Sequence, residues 1–276
     1  MRVSHTLSSQ VSTRLDNDGP TVEKLSKSPL IYVLAQVRIG AVLKMAEYVP
    51  LIQERLRKTG YPLYRASEIR ELRFGPGQPD LTSTARWHFD ASDRSTGFLL
   101  QADSLVFHTS DYKTSEDFLA ALTQGLEIIH EVVGLGVAER LGLRYVDAFQ
   151  ADPDHRLAEY FHPGVRGVAL DEIGATQPRL LVNLVADTKI GGQLVIRLGQ
   201  NAGPGFLPPD LQPMELTPNR QFAPGQEIAV LDYDHFIERV VPFSVEDIVQ
   251  TFGALHQVTS GAFRMTVSDF ALQAWK

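Results

Sequence analysis

No cysteine occurs in the chain. Disulfides, thiolate metal sites and cysteine nucleophiles are therefore excluded. A basic excess is missing too. The 26 Lys and Arg stand against 33 Asp and Glu, a formal net charge of -7. Nucleic-acid binders carry a positive footprint against phosphate, so this balance argues against a nucleic-acid partner. No apolar run approaches the length of about 18 residues that a membrane-spanning helix needs. Met1 to Gln10 lack the apolar stretch of a secretory signal. The expectation is a cytoplasmic protein with no membrane partner.

What is present is ordinary for a globular protein: 43% hydrophobic and 21% charged residues over a length of 276. That length supports one large domain or two small ones, with a core that needs no metal or disulfide.

The chain says the same thing twice. Thr114-Ser115-Glu116-Asp117-Phe118 recurs as Ser244-Val245-Glu246-Asp247-Ile248, and each opens an amphipathic helix after a strand-like run. Met45-Ala46-Glu47-Tyr48 has an echo in Leu157-Ala158-Glu159-Tyr160. At the spacing of the first echo, Phe98, Leu100 and Phe107 match Ile228, Val230 and Ile237. Both helix starts place a hydroxyl three residues before an acid. That is a capping pattern, which supplies an acceptor for an orphan amide and a negative charge at the positive helix end.

Pro29 to Ile39 is β-branched and bounded by Pro29 and Gly40, so it reads as a strand. A helix follows within Leu43 to Lys58, ended by Gly60. Pro50 should kink it or restart it there. Strands are expected over Ser67–Phe74, Thr84–Asp90, Gly97–Gln101 and Leu105–Thr109, with a breaker at Gly75-Pro76-Gly77-Gln78-Pro79. In the second of these regions Trp87 and Phe89 face the core and His88 faces outward. From Thr114, Phe118, Leu122, Leu126, Ile129 and Val133 form one stripe at helical period. The second half repeats the order: a strand at Ala138–Phe149, a short helix near Arg156–Phe161, a hairpin of Leu180–Ala186 with Gln193–Leu198, a strand in Glu227–Glu238, and a final helix with Ile248, Phe252 and Leu255 buried.

Each half thus reads β-α-β-β-β(β)-α. The expected fold is α+β, with two tandem halves in mostly antiparallel sheet and helices on one face, related by a pseudo-twofold axis. The expected division is an N-terminal mobile arm at 1–27, a first half at 28–136 and a second half at 137–276. In coarse order this resembles the duplicated saddle of TATA-box-binding proteins, a topological likeness that carries no function. A helix-grip-like wrap is the alternative packing. The irregularity is the stretch 201–225, with Pro204, Pro208, Pro209, Pro213, Pro218 and Pro224. Such a stretch cannot pair in a ladder. It is either a binding element or a stiff surface insertion.

The chemistry-bearing residues are few. Asp152-Pro153-Asp154-His155 and Asp232-Tyr233-Asp234-His235 repeat an Asp-x-Asp-His pattern that offers oxygen and imidazole donors. The first reads better as a turn. In the second, strand alternation puts Asp232 and Asp234 on one face and His235 on the other, so no metal site is expected. Arg140, Gly142, Arg144 and Val146 share one face of their strand, and Leu141, Leu143, Tyr145 and Asp147 share the other. Two arginines on one sheet face hold carboxylates or phosphates, or pair with acids on neighbouring strands. His130 and His256 lie late in the two major helices, where the helix dipole favours them. Gly134-Leu135-Gly136 follows a helix and is a C-cap rather than a phosphate loop. Arg55, Arg57 and Lys58 read as a solvated helix face.

Arg140-Leu141-Gly142-Leu143-Arg144-Tyr145-Val146-Asp147 is similar to the R-x-G-L-R-Y-x-N strand of a sporadically distributed family of uncharacterised bacterial proteins. Pro29 to Arg38, Trp87-x-Phe89, Ser104-Leu105, Tyr112-x-x-x-Glu116-x-Phe118, Leu231-Asp232 and Leu255-His256 resemble that family in order, over roughly residues 28–270. The chain departs from the pattern at Asp147, where the resemblance implies asparagine. The resemblance carries over no activity. Its patchy occurrence implies accessory roles such as defence.

The function expected from the residues is a non-enzymatic module that binds another protein, with no cofactor and no catalytic residue assigned. The alternative is a small-molecule binder or enzyme with a site between the halves, using Arg140, Arg144, Asp232, Asp234 and His235. Nucleic-acid binding on the sheet is a weaker third reading, and a homodimer through the halves is left open.

Overall fold

The computed structural model describes residues 25–73, 80–168, 173–174, 179–200, 207–212, 214–222 and 227–276, with backbone alone at 70–73 and 80–82. Most of the expected arm, the breaker at 75–79 and parts of the proline-rich stretch lie outside these. Residues 25–27 are tied down. Leu25 packs on the main core, and the Lys27 amide donates to the Trp275 carbonyl at 2.9 Å.

The described residues form nine strands: β1 (Leu30–Ile39), β2 (Leu63–Arg73), β3 (Asp80–Asp90), β4 (Thr96–Leu100), β5 (Ser104–Thr109), β6 (Val137–Phe149), β7 (Leu180–Asp187), β8 (Gln193–Gln200) and β9 (Ala229–Pro242). The α-helices are α1 (Met45–Leu56), α2 (Ser115–Val133), α3 (Val245–Thr266) and α4 (Asp269–Ala274). All nine strands make one open sheet in the order β2-β3-β4-β5-β1-β6-β9-β8-β7, antiparallel throughout. The fold is α+β. From the central β1–β6 pair the order runs outward as 1-5-4-3-2 on one side and 6-9-8-7 on the other.

Period-2 alternation sorts the side chains. Val33, Ala35 and Val37 of β1, Phe98 and Leu100 of β4, Phe107 of β5, Leu141 and Leu143 of β6, and Leu231 and Tyr233 of β9 face the helices. The helices answer with 3.6-period stripes: Val49, Ile52 and Leu56; Phe118, Leu122, Leu126 and Ile129; Ile248, Phe252 and Leu255. Each of these buried side chains contributes about 1.5–3 kcal/mol relative to exposure. The caps form as their spacing implies. Thr114 Oγ1 accepts the Asp117 amide at 3.0 Å, and Ser244 Oγ accepts that of Asp247 at 3.3 Å. Gly134 closes α2 at φ +73°, its amide bonded to the His130 carbonyl.

Four expectations are corrected. First, α1 does not restart at Pro50, which sits inside a continuous helix. Its missing N–H costs one bond while Val49 and Ile52 hold both sides to the core. Second, the short helix of the second half is only a 3-10 turn at Leu157–Tyr160, because Pro163 follows too soon for a longer one. Third, the match of Phe98 and Leu100 to Ile228 and Val230 fails in space. The former face the helices from β4, whereas Ile228 and Val230 pack on the opposite side; Phe107 and Ile237 both pack on the main core. Fourth, α3 continues to Thr266, so His256 is mid-helix and far from the negative helix end.

The other face carries a second, smaller core. The proline-rich stretch folds back over it, and Leu207 and Leu216 are buried against Ile31, Tyr32, Val146 and Ala148. The Thr217 amide bonds the Arg94 carbonyl, and Arg220 bonds the carbonyls of Ala148 and Ser28. The described residues of this stretch therefore form a structural cover over part of this face.

Candidate functional site: a cleft on the open sheet face

Where the cover stops, a cleft of about 740 Å³ remains over the central strands. Its floor is the β1–β6 pair: Tyr32, Gln36 and Arg38 from β1, and Arg140, Gly142 and Arg144 from β6. Arg86, Gln101 and His108 line one side, and Asp234 and Glu238 of β9 line the other. Asp210 and Glu215 of the cover close the end.

The arginines differ in how they are held. Arg144 is buried and saturated. Its Nε and Nη2 donate to Asp232 at 2.6 and 2.8 Å, and its two terminal nitrogens reach Asp210. Arg197 adds a third donor to Asp232 at 2.9 Å. Burial works against the Arg144 charge, but these carboxylates outweigh it and hold its pKa above the ordinary value. At the cover, Glu215 takes Arg65 at 2.6 Å and Arg86 at 3.3 Å. Burial alone would raise the Glu215 pKa, yet Arg65 and Arg86 bring it below the usual carboxylate value.

Arg140 is looser. Its Nη1 donates to Gln36 at 2.6 Å and the guanidinium lies 4.4 Å over the Phe236 ring, but its acids stand off, Glu238 at 3.6 Å and Asp234 at 3.9 Å. Burial depresses its pKa. Arg38 lies directly across from it in the ladder and has no ion pair among the described residues. Two like charges facing each other across neighbouring strands are unfavourable unless something shares them.

Beneath the cover sit neutral groups. Tyr32 Oη bonds His108 Nδ1 at 2.6 Å, and His88 bonds Ser67 Oγ at 2.9 Å. Burial lowers His108 to about 3 and His88 to about 4, so both are uncharged at neutral pH. His88 does leave the core side as its alternation requires, but it ends up buried under Glu215 and not in solvent.

Of the five residues singled out in the sequence, Arg140, Arg144 and Asp234 line this cleft, and Asp232 lies beneath it as the partner of Arg144. His235 points to the other side of the sheet, where Nε2 meets Thr188 Oγ1 at 3.0 Å. Among the described residues no group of His, Asp and Glu has a metal-ligand arrangement. Sequence reasoning missed Arg38, Arg86, His108, Asp210 and Glu215. The signal for Arg38 was its place on the same face of β1 as Gln36, and its neighbour across the ladder depends on a register that one sequence does not show. Asp210 and Glu215 lay within the proline-rich stretch already set apart.

Scans against protein-family models, curated proteins and solved structures found no match to the chain.

Proposed function

We propose that the protein is a non-catalytic binding module that holds an acidic segment of another protein in the cleft on its open sheet face. One observation carries this reading: on the central strands Arg38, which has no ion pair among the described residues, faces Arg140, whose two acids stand at 3.6 and 3.9 Å. A bound carboxylate relieves that repulsion through charge-assisted hydrogen bonds. The chain supplies its own precedent next door. The described part of its proline-rich cover docks on the same face by placing Asp210 and Glu215 on arginines. The outward order of strands from β1–β6 supports reading the chain as two copies of one unit, with the cleft at their seam. The sporadic family that the chain resembles supports an accessory role.

A small-molecule site at the same seam is the second reading, favoured by the convergence of Arg140, Arg144 and Asp234 on one cleft. Nucleic acid is disfavoured by the formal net charge of -7.

The test is fluorescence anisotropy with a labelled polyglutamate peptide. Saturable binding that weakens about tenfold or more in the Arg38→Ala/Arg140→Ala variant supports the proposal. Absence of binding, or binding that ignores both substitutions, overturns it. Equal competition by glutarate moves the assignment to the small-molecule reading.

A further inference from the structure

A second cavity, of about 560 Å³, opens on the helix side of the sheet, opposite the cleft. Its floor is Leu30 of β1, Tyr145 and Asp147 of β6, and Tyr233 of β9, and α3 contributes His256 and Phe263 to the wall. Its buried side-chain polar groups have hydrogen-bond partners within the fold, with one exception among the described residues. Tyr145 Oη bonds His256 Nδ1 at 2.8 Å, Tyr233 Oη bonds Thr266, and Thr259 donates to the Leu255 carbonyl at 2.8 Å.

Asp147 is that exception. It lies between Leu30 and Leu231 in the ladder, is 4% exposed, and faces the cavity without a hydrogen bond from the described residues. Only the charge of Arg220 acts on it from a distance, and that guanidinium already serves the carbonyls of Ala148 and Ser28. An unpartnered carboxyl in an apolar floor is costly, and burial pushes its pKa up to about 8.

The surroundings select what fits it. The rings of Tyr112, Tyr145, Tyr233 and Phe263 line the cavity, Tyr112 edge-on to Tyr145 at 5.7 Å and Tyr233 edge-on to Phe263 at 6.2 Å. Ring faces attract cations, and a carboxylate does so more strongly. An anion would meet Asp147 head-on. We infer that this cavity is a binding site for a small organic amine, its ammonium against Asp147 and its apolar body among the aromatic side chains.

Binding such a cation requires Asp147 to ionise, so its proton leaves as the amine enters. Tyr112, Tyr145, Tyr233 and His256 also face the cavity, and burial pushes each toward its neutral form. Arg264, Asp269 and Lys276 stand at its exposed side. At neutral pH the proton released on binding is therefore the one on Asp147.

The experiment is titration calorimetry of the whole chain with tryptamine and its neutral counterpart tryptophol, at about pH 7 in two buffers of different ionisation enthalpy. Tryptamine is expected to bind about tenfold or more tighter than tryptophol, with close to one proton released per amine. Asp147→Asn keeps the side-chain shape and is expected to abolish both the preference and the proton release. Ser260→Trp, which fills the cavity from α3, is expected to block both probes. Failure of tryptamine to bind, equal affinity for the two probes, or an unchanged preference in Asp147→Asn each overturns the inference. None of these outcomes bears on the cleft, which lies on the other face.

Discussion

Replacing Asp147 by asparagine should change how the stability of the protein depends on pH. The magnitude follows from the site. The carboxyl has no hydrogen bond, is flanked by leucines in the ladder, and has its pKa raised from an ordinary 3.8 to about 8. Between those two values the unfolded chain has released the proton and the native protein still holds it. The unfolded state then binds fewer protons, so stability falls as pH rises across that window and levels off above it. Each pH unit is worth about 1.4 kcal/mol, so the loss between about pH 5 and pH 7.5 approaches 3 kcal/mol. Asparagine does not titrate and removes the slope. Urea denaturation of both proteins at several pH values measures the difference directly, since the other titrating groups are common to both. The variant's advantage should grow by about 1.4 kcal/mol per unit across the window. Parallel pH profiles for the two proteins would refute the reasoning and mean that the carboxyl is solvated or paired.

Further substitutions test the packing, a buried ion pair and the helix caps. Gly125→Ala places a methyl well inside contact distance of Phe98 Cε1 and Cζ, and should cost about 1–3 kcal/mol despite alanine's better helix propensity. Adding Phe98→Leu should recover part of that loss in a thermal melt. Arg144→Leu leaves Asp232 buried with only Arg197 to share its charge, and should cost about 3–5 kcal/mol by chemical denaturation. Thr114→Ala and Ser244→Ala each delete an observed helix cap, and each should cost about 1 kcal/mol.

Local chemistry accounts well for the elements and their faces. The stripe from Phe118 to Ile129, the two hydroxyl caps and the Gly134 terminus are all decided within a few residues, so they could be read without a fold. The alternation of β6 was equally legible: it separated Arg140 and Arg144 from Tyr145 and Asp147, and the two sets now face two different cavities. What resisted was everything set by register and by distant segments. That Arg38 faces Arg140 depends on how β1 slides along β6, with irregularities near Leu30 and Arg38. That Asp210 answers Arg144 depends on a stretch 66 positions away folding back over the sheet. Repeat spacing also misled at Ile228 and Val230, because an echo in sequence says nothing of which side of a pleat a residue takes.

The position of β1 at the centre of the sheet has a consequence for synthesis. Its two neighbours are β5 and β6, and β6 begins at Val137. At roughly 5–20 residues per second, a ribosome needs on the order of ten seconds after finishing β1 to deliver β6. For that interval Leu-Ile-Tyr-Val-Leu-Ala-Gln-Val-Arg-Ile, an apolar strand with a single charge, has at least one bare edge. The segment that is sealed on both sides in the finished protein is the one a nascent chain must shield longest.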